Sequence, residues 1–573
     1  MTCKERILSN DYADIILDFY VPQDVINDPN IDFCYHNLES AMGILYVERS
    51  GVTEIGVSSA SYPFVPKCYG LMQTDEGLRR GGEEFNTLAL AEAGILSAQG
   101  QPLNLTGKDV IIGFIDTGIQ YENAVFRDAA GRSRIKAIWD QTIQTGQPPE
   151  GFDYGTEYTQ EVIQRALESG NPRSIVPSTD TLGHGTEMAS VAAGSRLNSP
   201  TRFIGAAPEC DIVVVKLKEA KPYLREYYLI PEDVPCYQDT DIMQAIQYLQ
   251  NFAERFAHPL VICMGIGTSL GDHTGASALG RYMELVARRK GRAFVVPAGN
   301  EGNSGHHFQG ELTPSRPYRD VEIRVGGDTQ GFVMDLWGSV PYLLTVTVRS
   351  PGGESIQWIN PRIKKPQEFS FIFERTRLFV EYLLVEQVSG SELIRFRFET
   401  PTQGIWTVRV SAEGSPMSSK FNIWLPITQF LSSDTYFLES NPYITLTEPS
   451  YVHCAICTTA YNDANDSIYS NAGRGYARDD YVKPDIAAPG VDVSTIFGPK
   501  TGSSIAAAIT AGGVAQILQW AVIEDNNITV ASGSVKNYLI LGARRESNLT
   551  YPNREWGYGM LDIEGVFRFL AGV

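Results

Sequence analysis

A carboxylate, an imidazole, an amide and a hydroxyl stand in this chain where local backbone geometry could hold them for covalent chemistry. The first is Asp116, closing the apolar run Ile111-Ile-Gly-Phe-Ile-Asp116-Thr-Gly118. A strand-end aspartate either orients a neighbouring base or caps the following turn. An aspartic-protease reading of Asp-Thr-Gly needs two carboxylates in equivalent settings, and the chain has no second copy of the motif. The second is His184 in Asp180-Thr-Leu-Gly-His184-Gly-Thr186, where glycines on both sides let backbone and substrate approach closely at a loop-to-helix junction. The third is Asn300, in the glycine-rich turn after Val295-Val-Pro-Ala-Gly299; it either tolerates a left-handed backbone or donates its amide to a developing oxyanion. The fourth is Ser504, in Thr501-Gly-Ser-Ser504 ahead of a long apolar stretch, as a helix N-cap or as a nucleophile at the positive end of a helix dipole. A phosphate loop is excluded there, because Gly498-Pro-Lys-Thr-Gly-Ser-Ser504 lacks Gly-Lys-[Ser/Thr]. Together the four would supply a nucleophile, its base, an orienting carboxylate and an oxyanion donor.

The elements that must position them alternate. Val110-Ile-Ile-Gly-Phe-Ile115, Asp211-Ile-Val-Val-Val-Lys216, Leu260-Val-Ile-Cys-Met264 and Ala293-Phe-Val-Val-Pro297 are continuous apolar runs separated by helical patterns. They predict a parallel sheet covered on both faces. Between about 310 and 435 the texture changes to period-two strands such as Ile394-Arg-Phe-Arg-Phe398 and Trp406-Thr-Val-Arg-Val410, which predict an antiparallel sandwich or jelly roll. The α/β texture returns after Tyr451, so the β block is an insertion. Residues 1 to about 60 carry enough short apolar runs for a small α+β unit.

With 573 residues, two or three compact units are expected. Acidic residues outnumber basic ones 67 to 47, a net charge of −20 that repels phosphate backbones and anionic lipid. Nucleic acid and membrane are therefore not expected as partners. The apolar stretch Ile505–Ile523 could imitate a membrane span, but Thr510, Gln516 and Gln519 favour a helix buried in an α/β domain. Eight cysteines are too few for a disulfide scaffold, and Cys454-Ala-Ile-Cys457 lacks the companions of a zinc site, so it reads as part of a buried strand. The N-terminus, Met1-Thr-Cys-Lys-Glu-Arg-Ile-Leu-Ser-Asn-Asp, has no secretory apolar core, so nothing in it directs export by the usual route and a cytoplasmic location is expected.

The ordered quartet resembles the subtilisin-like serine proteases over about residues 60–300 and 450–573, and Lys483-Pro-Asp-Ile-Ala-Ala-Pro-Gly490 is similar to that family's stretch upstream of its nucleophile. The resemblance implies a subtilisin-like α/β sheet sandwiched by helices at 61–309 and 436–573, with the β insertion at 310–435 and a prosegment at 1–60. It implies Ser504 as nucleophile, His184 as general base and acid, Asp116 as its orienting carboxylate, and Asn300 with the Ser504 N–H as oxyanion hole. Gly265, Ile266, Gly267 and Thr268 fall where the family pairs with an extended substrate. Ser503, Ile505, Ala508 and Glu187 depart from the family pattern; Glu187 is the departure that could shift the local field.

No cofactor or metal is expected, because the chemistry needs none; the sequence leaves calcium binding open, with no dense carboxylate loop of recognisable spacing to decide it. The partners implied are a protein or peptide substrate and the chain's own cleaved prosegment. A start resembling that of a mature enzyme at Tyr62-Pro-Phe-Val-Pro-Lys-Cys-Tyr-Gly70 puts the cut within 57–74. The long insertion between Asn300 and Ser504, the N-terminal unit and the lack of a recognisable signal peptide together resemble the clostridial Csp-type spore-germination proteases, implying activation of a cortex-lytic hydrolase zymogen and a spore-associated location as the alternative to a cytoplasmic one. The rival reading is a catalytically impaired binding protein whose prosegment is locked in the cleft.

Overall fold

The computed structural model describes residues 1–18, 33–39, 42–51, 62–78, 85–197, 203–361, 366–412, 414, 418–432 and 434–572. At its centre the apolar runs pair in parallel. Ile111–Asp116 lies between Leu260–Met264 and Asp211–Lys216, and Arg292–Pro297 continues the sheet to Ile456–Asn462 and Ile486–Pro489. Ile112 and Phe114 enter one core while Ile111 and Ile115 enter the other, so a continuous apolar strand serves both faces. Such burial contributes roughly 1.5–3 kcal/mol per large apolar side chain.

The helices His184–Ala193 and Ser503–Leu518 fill one face, and Asp239–Phe256 and Ala278–Ala287 the other. The apolar stretch Ser503–Ile523 is long enough to cross a membrane, yet 89% of it is buried inside the protein, as the sequence predicted. Its close approach to the His184 helix is set by Gly512, where a Cβ would lie 2.2 Å from the Ala206 Cβ and 2.9 Å from the Ala192 carbonyl oxygen. Gly512→Val is therefore expected to lower the urea midpoint through overpacking of about 1–3 kcal/mol. Gly533→Ala, where an added Cβ meets nothing within 4 Å, should leave the midpoint unchanged or raised.

The inserted block is two antiparallel sheets, one of six strands from His307–Leu312 to Gln367–Ser370 and one of five from Ser355–Ile359 to Tyr436–Phe437. Alternate residues such as Ile394, Phe396, Phe398, Trp406, Val408 and Val410 meet in a shared core.

The N-terminal unit is a capped helix, Cys3–Leu8, and the antiparallel strands Tyr12–Leu17, Met42–Glu48 and Phe33–Glu39. A Cys3–Cys34 disulfide ties helix to sheet, a pairing that cysteine count alone did not predict. The unit docks by burying Ile7, Ile16, Leu38, Ile44 and Tyr46 in an apolar layer shared with Asp239–Phe256, and by polar contacts: His36 Nε2 meets Gln247 Oε1 at 2.7 Å, Gln244 donates to the Tyr46 hydroxyl at 2.9 Å, and Asp14 pairs with Lys221 at 2.6 Å. Cys454 and Cys457 are free thiols, and burial pushes Cys457 up to about 12.

Candidate active site

Each of the four candidate residues sits near where a strand ends or a helix begins. Asp116 closes its strand, and its Oδ1 accepts the Thr117 N–H at 2.8 Å. His184 opens its helix. That start is fixed by Asp180, which accepts the N–H groups of Gly183 (2.8 Å) and Thr186 (2.9 Å) and the Thr186 hydroxyl (2.7 Å). The helix start carries His184 Nδ1 to 2.8 and 3.0 Å from the two Asp116 oxygens. Ser504, fully buried, lies in the first turn of its helix. Asn300 follows the strand Arg292–Pro297, and its Oδ1 accepts the Ser503 N–H at 3.1 Å, which aims the amide nitrogen into the cleft.

The cleft is filled by the chain itself. Cys68–Leu71 pairs antiparallel with Ile266–Gly267, Ile266 opposite Leu71 and Gly267 opposite Gly70, and the Met72 N–H donates to the Gly265 carbonyl at 2.8 Å. The Met72 carbonyl oxygen accepts the Ser504 hydroxyl at 2.7 Å and lies 3.1 Å from His184 Nε2. One residue on, the Asn300 amide donates to the Gln73 carbonyl at 2.8 Å. Of the residues expected to meet an extended substrate, Gly265, Ile266 and Gly267 meet this strand of the chain itself. Thr268 instead turns away, its N–H and C=O paired with Glu448 at 3.0 and 2.9 Å. Gly265 must be small, since a Cβ there would lie 2.3 Å from Asp116 Oδ2 and 2.5 Å from His184 Cε1.

The proton inventory follows from the acceptors. A carbonyl oxygen only accepts, so Nε2 carries a hydrogen toward Met72, and Nδ1 carries one toward Asp116. Both ring nitrogens donating means an imidazolium. Burial pulls His184 down, but the charge and hydrogen bond of Asp116, the charge of Glu187 and the Met72 carbonyl outweigh it, raising the group to about 9.

Some contributors were not legible as site residues. Glu187 Oε2 accepts the Thr74 hydroxyl at 3.0 Å, and Oε1 lies 3.1 Å from Lys500 Nζ. Glu301, buried beside Asn300, accepts from His306 (3.0 Å), Ser304 (2.8 Å) and the N–H (2.9 Å) and hydroxyl (2.9 Å) of Thr428. Burial works to raise its carboxyl, yet His306 and these donors hold it below the ordinary range. Through it the inserted block grips the Asn300 turn, and Gln429 of the same block donates to the Leu71 carbonyl. Among the described residues, one group of side chains has metal-ligand spacing, Cys3, Cys34 and Asp153, and its two sulfurs are joined to each other.

Comparison with known proteins agrees with this geometry. The model of the subtilase family matches residues 107–559, a span holding Asp116, His184, Asn300 and Ser504. The chain belongs to the subtilase family. A solved structure, that of the Clostridium perfringens CspB protease, superposes with a TM-score of 0.75 at 29% identity, covering 84% of this chain and 97% of that one. Subtilisin-like protease SBT1.4 of Arabidopsis thaliana is 30% identical over 211 residues, 34% of this chain; the match spans only a quarter (25%) of that relative's length.

Proposed function

We propose that this subtilase is a serine endopeptidase that cuts its own backbone within Met72-Gln73-Thr74 and then acts on a protein substrate by the same route. The observation carrying the reading is the seating of Cys68–Gln73 as an extended strand, with successive carbonyls held by Ser504 and His184 and by Asn300. In the reaction the Ser504 oxygen bonds to the carbonyl carbon while His184, neutral, takes the hydroxyl proton at Nε2. Asn300 holds the oxyanion, the C–N bond breaks, and His184 returns the proton to the leaving amine; water then releases the acyl group by the reverse sequence.

On this reading the prosegment extends from residue 1 into the cleft and stays docked after the cut. Similarity to the CspB protease supports a place in spore germination, with a cortex-lytic hydrolase zymogen as substrate and a cytoplasmic or spore-associated location. The second reading, an impaired binding protein, is favoured by the cleft being occupied and by the imidazolium. A fluorophosphonate probe separates the two: covalent labelling of Ser504 supports the peptidase, and folded, prosegment-free protein that takes no label supports the binding protein. Intact mass of wild type beside Ser504→Ala tests self-cleavage directly.

The raised His184 gives the reading a pH signature. Its protonated form, favoured by docking, contributes stability fully present below the ordinary 6.5 and lost as pH rises through about 9. Only the neutral form is a base. The first-order rate of self-cleavage should therefore rise nearly tenfold per pH unit between pH 6 and 8 and level off near 9. A rate constant that does not change over that range would contradict it.

A further inference from the structure

Downstream of Gln73, on the leaving side of a cut at its carbonyl, the next three side chains each meet a partner of matching chemistry. The Thr74 hydroxyl donates to Glu187 at 3.0 Å. Asp75 Oδ2 accepts the Tyr469 hydroxyl at 2.5 Å, and that hydroxyl accepts the Asn471 amide at 3.2 Å, which turns its proton toward Asp75. Glu76 pairs with Lys500 at 2.6 Å, and Lys500 is itself held by Glu187 at 3.1 Å. The backbone is captured as well. Asp75–Glu76 adds a third strand to the hairpin Val493–Thr495 and Gly498–Thr501, Asp75 opposite Thr501 and Glu76 opposite Lys500. The Gly77 N–H reaches the Pro499 carbonyl at 2.9 Å, and the Leu78 N–H reaches Asp492 Oδ1 at 2.7 Å.

Strand addition fixes register, and side chains then decide which sequence fits. Glu187 and Lys500 are nearly buried while Glu76 is 81% exposed. The receptor half of the contact is thus prebuilt, and the strand brings only the exposed partner. Lys500, although pulled down by desolvation, is raised overall by its bonds to Glu76 and Glu187, so it stays a cation.

Building on the peptidase reading, we propose that Glu187, Tyr469 and Lys500 form a specificity site for the leaving side of the substrate, selecting a hydroxyl residue followed by two acidic residues. The site applies to the chain's own segment and, once that strand departs, to protein substrates cut in trans. It gives Glu187, the departure from the family pattern beside the catalytic histidine, a function in selection. A lysine at the position of Glu76 would face Lys500 as a like charge, and a charge swap restores the pair.

The test is a charge-swap cycle read by self-cleavage rate. Glu76→Lys and Lys500→Glu are each expected to slow self-cleavage about tenfold or more, and the double variant is expected to recover most of the wild-type rate. Processed wild type freed of its docked prosegment should likewise cut an internally quenched peptide spanning residues 67–79 at least tenfold faster than the same peptide with lysines at the positions of Asp75 and Glu76, with Lys500→Glu, processed and freed in the same way, reversing the order for Glu76. Single variants that cleave at the wild-type rate, or a double variant no faster than either single, would overturn the site while leaving the peptidase reading intact. A wild type that neither self-cleaves nor labels would instead overturn the peptidase reading, and this proposal with it.

Discussion

Ser504→Ala protein is expected to remain one full-length species where wild type yields two fragments. The alanine keeps the buried volume of the site nearly unchanged and removes only the hydroxyl that meets the Met72 carbonyl. No other described hydroxyl is bonded to the Met72 or Gln73 carbonyl, so no neighbour is placed to substitute. Units of nucleophile and base lose about 10⁶-fold when the nucleophile goes, a magnitude seen in a subtilisin and not drawn from this geometry. Intact mass spectrometry reads the outcome and assigns the bond: a new N-terminus at Gln73 places the cut at the carbonyl held by Ser504 and His184, and one at Thr74 places it at the carbonyl held by Asn300. Equal self-cleavage of wild type and variant would end the assignment of Ser504.

Asn300→Ala is expected to slow self-cleavage about 10²–10³-fold, the cost measured for removing one oxyanion donor in a subtilisin. The amide has two tasks that separate cleanly. Its oxygen accepts the Ser503 N–H, and its nitrogen donates to the Gln73 carbonyl. Asn300→Asp keeps the acceptor and loses the donor, so it should be about as slow as the alanine variant. Because the contact lies at an exposed position, neither change should move the thermal midpoint by more than a degree or two. Time courses of processing at pH 8 provide the measurement. A donor-less variant that processes at the wild-type rate would remove Asn300 from the mechanism.

Asp116, His184, Asn300 and Ser504 were legible because each lies inside a short local pattern, a strand end or helix start flanked by glycine, and local pattern survives in a single sequence. The parallel sheet was legible for the same reason, since runs such as Asp211–Lys216 cannot be half exposed. What was not legible depends on pairing across long separations. Cys68–Leu71 looks like the opening of a domain until Ile266–Gly267 and Tyr237–Gln238 are seen on either side of it. Thr268 continues the Gly-Ile-Gly run in sequence, yet Glu448, far along the chain, claims its backbone. The Cys3–Cys34 bond has no local signature, and Glu187 showed only as an anomaly because Lys500 reaches it from the hairpin before Ser504.

The N-terminal unit and its docked strand meet the rest of the protein through a hydrogen-bonded ladder, the Asp14–Lys221 ion pair and the glutamine contacts from Asp239–Phe256. Severing one peptide bond touches none of these. A nicked molecule should therefore sediment and elute as a single particle, come apart at once in denaturant and slowly on dilution, and travel whole on an affinity column that grips its first residues. Enzymatic competence then begins with an unbinding event, so dilution and time, more than the cut itself, set when the cleft opens to outside chains.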